Sequence, residues 1–186
     1  MRKQIFKTAL FLALGVVMIQ TACKPKGMQT AVQGDAAVKA YVPPGQYDEF
    51  YNIVSGGFSG QMSVYGLPSG RLFRVIPVFS VDPEKGYGYS EESKAMLNTS
   101  HGFVPWDDLH HIALSTTDGI HDGKWAFGNG NNTPRIARID LKTFRTAEII
   151  EIPNSGGNHS SPFITENTEY VVAGTRFSVP MGDKLD

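Results

Sequence analysis

The adjacent pair His110-His111 and the solitary His159, 49 positions further on, are the residues of this chain best suited to do chemistry. They are three of its five histidines, and neutral imidazole is the commonest protein metal ligand. In a regular strand successive side chains face opposite ways, so His110 and His111 can reach one centre only where the backbone leaves strand geometry. Pro105 and the Trp106-Asp107-Asp108 stretch just upstream favour such a departure. Adjacent ligands at a strand mouth, joined by a third from another element, suit a broad polynuclear cluster better than a closed tetrahedral zinc site. Asp108, two residues before His110, could accept the second N–H of an imidazole and fix its orientation. Spacing alone leaves open a pair of strand-edge surface histidines.

Other reactive residues have plainer readings. His101, in Asn98-Thr99-Ser100-His101-Gly102, sits in a turn-like context as a surface or hydrogen-bonding residue, and His121 reads as a hairpin residue on the side away from the pair. Asp82-Pro83-Glu84 could offer oxygen to calcium, although the alternating oxygen ligands of a recognised calcium loop are missing. Trp106 and Trp125, with Phe103 and Phe127, read as core fillers. Cys23 is the only cysteine, which excludes an internal disulfide framework and any thiolate-rich metal site. A formal net charge of -1 gives no basic stripe for nucleic acid.

The elements that must carry these residues follow a leader. Residues 1 to 22 read as an export signal, with Arg2 and Lys3 before the apolar run Ala9 to Ile19, which is too short for a comfortable membrane span. The run ends at Thr21-Ala22-Cys23, which resembles a bacterial lipobox, with Gln20 unusual three before the cysteine. The expected organisation is a signal peptide over 1–22, a tether over 23–45 that is lipid-modified at Cys23, and a folded region over 46–186. The expected location is the periplasm, with membrane contact only through that anchor.

Glycine is abundant, at 20 residues, and the apolar segments are short, which predicts an all-β fold of many strands joined by turns. Strands are expected at Gln61–Tyr65, Leu72–Phe79, His111–Ser115, Lys124–Phe127, Arg135–Asp140, Ala147–Ile152, Pro162–Thr165 and Tyr170–Ala173. Turn chemistry is expected at Asp118-Gly119, Asp122-Gly123, Gly128 to Asn132 and Asn154 to Gly157. Only Ser90 to Leu97 reads as helix, capped by Ser90. The four strands from His111 to Ile152 form one meander, after which the pattern restarts at His159. The 49-residue spacing is close to the period of a four-stranded propeller blade, in which equivalent positions line one end of the central channel. A β-sandwich with coincidental spacing is the alternative. About three blades fit the chain, fewer than a closed ring needs, so the expected fold is a partial β-propeller and the chain a piece of a longer protein.

The run Asp108-Leu109-His110-His111, with Thr117-Asp118-Gly119, Asp122-Gly123-Lys124-Trp125, Asn132 to Leu141, Ile152-Pro153-Asn154 and His159, resembles the N-terminal part of nitrous oxide reductases. Gly56 to Gly60, Arg71 to Phe79, Asp82-Pro83-Glu84, Gly86 to Tyr89 and Glu92-Ser93-Lys94 are similar to the same family, so the resemblance covers roughly Asp48 to Pro180. It implies the N-terminal blades of a seven-bladed propeller whose hub holds a tetranuclear copper-sulfide cluster on seven histidines. Of these, His110, His111 and His159 match ligand positions, and Asp108 matches the acidic residue before the pair. The resemblance further implies a C-terminal cupredoxin domain with a binuclear copper site, a homodimer, a periplasmic electron donor such as a cytochrome, and nitrous oxide as substrate. Some members carry another histidine two after the pair, where this chain has Ala113. The single arginine near the start resembles the Sec-exported branch. The alternative function is an exported, lipid-anchored, propeller-like binding module without metal chemistry.

Overall fold

The computed structural model describes residues 35–177. The leader, the Cys23 attachment point and the tail from residue 178 lie outside the described residues. The chain divides between Lys39 and Ala40 into two compact units. Helix α1 (Asp35–Ala40) lies at that junction in the sequence, within the stretch read as a tether. Among the described residues no helix is long and apolar enough to cross a membrane.

The second unit is built from antiparallel meanders. Strands β1 (Phe50–Ser55), β2 (Gln61–Leu67) and β3 (Leu72–Pro77) form a three-stranded sheet in chain order. A long connection then carries helix α2 (Glu91–Ala95) and a two-residue ladder of β4 (Asn98–Thr99) with β5 (Gly102–Phe103). Strands β6 (Leu109–Thr117), β7 (Ile120–Gly130), β8 (Arg135–Asp140) and β9 (Arg145–Glu151) follow as a four-stranded sheet, again in chain order. Finally β10 (Phe163–Ile164) and β11 (Val171–Val172) pair as a hairpin. The all-β expectation holds. The first strands of successive meanders are neighbours, β1 beside β6 and β6 beside β10.

Period-two alternation decides which faces are buried. In β2 it sends Met62 and Val64 inward, and in β8 it sends Ala137 and Ile139 inward, to meet Ile76, Val78, Phe79, Leu109 and Ala126 in one core. Complete burial of a valine-to-methionine-sized side chain contributes about 1.5–3 kcal/mol, so this cluster is the main force joining the two large sheets. The β6–β7 tip closes through Asp118-Gly119, both in the left-handed region at φ 51° and 72°. Asp-Gly suits this turn because its twist matches that of the flanking strands. Helix α2 starts where expected: the Ser90 hydroxyl accepts from the Ser93 N–H, and Glu91 and Glu92 occupy the first turn.

Several expectations need correction. Gly128-Asn129-Gly130 is not a turn but the end of β7. The glycines are there for proximity: a Cβ on Gly128 would lie 2.5 Å from Leu109 Cδ1, and one on Gly130 would lie 2.4 Å from Asp107 Oδ2. Trp106 and Phe103 are not core fillers, being 54% and 47% exposed, whereas Phe127 is buried. Strand β1 was not expected, because Phe50, Tyr51 and Val54 break the alternation of a half-buried strand and remain exposed. Asp82 faces a cation of its own: Oδ1 accepts from the Lys85 N–H at 2.9 Å, and the Lys85 ammonium lies 3.4 Å from Oδ2 while donating to the Val75 carbonyl at 2.6 Å.

Candidate metal centre

The mouth of β6 is where the backbone leaves regular pairing. Leu109 pairs with Gly130 and Ile112 with Gly128, so His110 and His111 together oppose the single residue Asn129. Two residues against one is a β-bulge, and it removes the alternation that would send the two imidazoles to opposite faces. The ring centroids of His110 and His111 are 4.2 Å apart. Upstream, the Leu109 N–H donates to the Gly57 carbonyl at 3.1 Å and the Asn131 N–H to the Asp108 carbonyl at 2.9 Å, which fixes the entry to the bulge.

The third imidazole arrives on the loop between β9 and β10. His159 Nε2 lies 3.0 Å from His110 Nε2, with ring centroids 4.6 Å from His110 and 5.8 Å from His111. One nitrogen atom from each of the three rings falls within 4.8 Å of the others. Asn129 joins the two carriers. Its Oδ1 accepts the His111 N–H at 2.7 Å, and its Nδ2 donates to the Asn158 carbonyl. Asn129 and Asn158 are both fully buried.

Beneath the mouth lies a buried ion pair. The Asp107 carboxylate accepts from the N–H groups of Asp108, Asn132 and Thr133 and from the Thr133 hydroxyl, and Arg135 Nη2 lies 3.7 Å away. Arg135 also donates to Thr133 Oγ1 at 2.7 Å and to the Val104 carbonyl at 3.2 Å, with its guanidinium 4.8 Å over the Phe79 ring. Burial pulls the Arg135 pKa down against the pull of Asp107, yet guanidinium remains charged in proteins. The Asp107 carboxylate thus braces the β7–β8 turn and the residue leading into the bulge at once.

Among the described residues the donor set is imidazole alone. Burial first, then the neighbouring His110 and His159 rings, holds His111 below the ordinary histidine value, so its lone pair stays available at neutral pH. Between His110 Nε2 and His159 Nε2 only one can donate to the other. Three such rings with no amide or carboxylate among them fit a borderline transition metal, and imidazole suits copper, which heads the divalent affinity order. Asp108 is buried and its Oδ2 stands 4.0 Å from His110 Nδ1, beyond hydrogen-bonding distance. That oxygen instead accepts from Asn131 Nδ2 at 2.9 Å.

The three histidines singled out in the sequence are therefore brought together, while His101 and His121 are exposed and stand apart from them. Asp107, Asn129 and Asn158 were missed. The available signal was Gly128-Asn129-Gly130, an amide flanked by the smallest residues and set against a histidine pair.

No protein-family model matches the chain. Over 151 residues it is 38% identical to a nitrous-oxide reductase of Pseudomonas fluorescens, covering 81% of this chain and 24% of that protein. It is 38% identical over 143 residues to that of Stutzerimonas stutzeri, covering 76% and 22%. It is 33% identical over 202 residues to that of Ralstonia nicotianae, covering 97% and 31%. The chain spans 22% to 31% of the length of these curated relatives. Likeness at this level, running over most of the chain, makes it a member of the nitrous-oxide reductase family.

Proposed function

We propose that this chain is the N-terminal part of an exported copper enzyme that reduces nitrous oxide to dinitrogen and water, with His110, His111 and His159 as copper ligands. The observation that carries the reading is the gathering of three imidazole nitrogens within 4.8 Å, in a chain 38% identical to a nitrous-oxide reductase over 151 residues. The reaction consumes two electrons and two protons per nitrous oxide. Copper bound here would supply the electrons and the coordination that an inert, poorly ligating substrate requires. The chain's own task is placement: the bulge and the β9–β10 loop present three imidazoles, and the Asp108 carboxylate stands beside His110.

The finer picture extends the same reading. The centre is a tetranuclear copper-sulfide cluster completed by four further histidines of the full-length protein, and a cupredoxin domain adds a binuclear copper site. The meanders are the first blades of a seven-bladed propeller. Support comes from the neighbouring first strands and from a recurring offset of 49: His110 meets His159, Thr116 Oγ1 donates to the Thr165 carbonyl, and the Asp118 N–H donates to Asn167 Oδ1. The whole enzyme is a periplasmic homodimer fed by a cytochrome-type donor, with residues 1–22 as its export signal and Cys23 as a lipid anchor.

The test is copper content and nitrous oxide turnover of the complete protein, wild type against a variant with His110, His111 and His159 all changed to alanine. Loss of both in the variant is expected. Unchanged turnover would overturn the proposal, and a wild-type protein without copper would favour the binding module.

A further inference from the structure

We propose that Asn129 is the positioning residue that sets the three imidazoles before any metal arrives, by clamping the β6 bulge to the loop that carries His159. The inference rests on the copper reading above. The clamp needs an acceptor and a donor on one rigid group. The His111 N–H can only donate and the Asn158 carbonyl can only accept, so the side-chain amide has a single orientation that satisfies both. No other side-chain amide among the described residues bonds to the backbone of both carriers.

Position in the strand makes the clamp specific. Asn129 is the one residue opposite the two-residue bulge, so its Oδ1 takes the His111 N–H that the bulge withdraws from regular pairing. An N–H withdrawn from the ladder needs another acceptor, which makes the bulge depend on this amide. Gly128 and Gly130 permit the close approach, since a Cβ at either would strike Leu109 or Asp107. Asn129 and Asn158 are both fully buried, which keeps water from replacing the bond between them. Asn158 adjoins His159 in the chain, so holding its carbonyl holds the third ring near the other two. Partners that orient metal ligands typically affect metal affinity 10–100-fold.

The experiment uses the complete protein and titrates Cu(I) against a chromophoric Cu(I) chelator. Asn129→Leu keeps the volume and removes both arms; Asn129→Asp keeps the acceptor for His111 but puts an oxygen against the Asn158 carbonyl. Expected are a loss of copper affinity of about 10–100-fold in Asn129→Leu and a smaller loss in Asn129→Asp. Lowered thermal stability with wild-type copper affinity in the folded Asn129→Leu or Asn129→Asp protein would overturn the clamp. In metal-free wild type, amide hydrogen exchange at His111 is expected to be slow, and fast exchange there would overturn the clamp even if neither variant folds. The triple histidine variant separates the two claims: wild-type copper binding in it defeats the copper reading. Loss in it alongside unchanged affinity in Asn129→Leu defeats only the clamp.

Discussion

The β6–β7 hairpin is irregular at both of its ends, yet only one end collects imidazoles. At the tip, pairing slips between Leu114 and Thr116, and the loosened residues are satisfied locally. The Asp122 carboxylate accepts from the hydroxyls of Ser115 and Thr117 and from the Lys124 N–H, and the Lys124 ammonium lies 3.2 Å away. His121 stands there exposed. At the mouth, the bulge is satisfied by Asn129 and by the network around Asp107, both buried and both reaching distant segments. A bulge supplies room; what turns room into a ligand set is buried polar bonding that spends backbone groups and leaves ring nitrogens free.

The strongest way to break this contrast is Asp107→Ala. It leaves the Arg135 guanidinium buried and uncompensated, and a loss of about 3–5 kcal/mol is expected from urea unfolding with the slope unchanged. A loss below about 1 kcal/mol would mean that the mouth rests on local bonding like the tip. Gly130→Ala comes next: its Cβ would sit 2.4 Å from Asp107 Oδ2 and 3.0 Å from the Thr133 carbonyl. Overpacking of this kind costs about 1–3 kcal/mol, and the same unfolding assay should show copper affinity falling with stability.

At the tip the expected effect is smaller and depends on pH. The Ser115 hydroxyl above all, then Lys124 and Thr117, holds the Asp122 carboxyl below the usual aspartate value of 3.8. A depressed folded pKa means that the contribution is present above 3.8 and is lost as pH falls below it. Thermal melts of wild type and Asp122→Asn should therefore differ at pH 6 and draw together towards pH 2, with copper affinity equal in both. A gap that widens on acidification would reverse the sign of this argument. The smallest effect belongs to Arg138 and Glu148, paired at 3.0 Å with both side chains about half exposed. A double-mutant cycle should return about 0.2–1 kcal/mol, shrinking in salt.

What was legible in the sequence divides along the same line. The His110, His111 and His159 set, the meander from β6 to β9, the Asp118-Gly119 tip and the Ser90 cap were readable, because each depends on residues close in sequence or on a repeat spacing. Asn129 and Asp107 were not, because their partners lie up to 29 positions away and glycines normally punctuate turns. The same glycines misled: Gly128 and Gly130 exist to admit Leu109 and Asp107, a requirement that only packing reveals. Trp106 misled in the opposite sense, since its indole N–H donates to the Phe58 carbonyl at 2.7 Å from an exposed position.

The ammonium of Lys85 on the Val75 carbonyl bears on how this molecule behaves in company. An outer strand is a docking rail on which a stranger's backbone can zip. Here one rung of that rail is already gripped by a cation whose counter-charge, Asp82, sits on the same loop. An intruding peptide would have to evict the lysine and strand the aspartate, so the margin formed by β3 discourages fibril-like stacking between crowded copies.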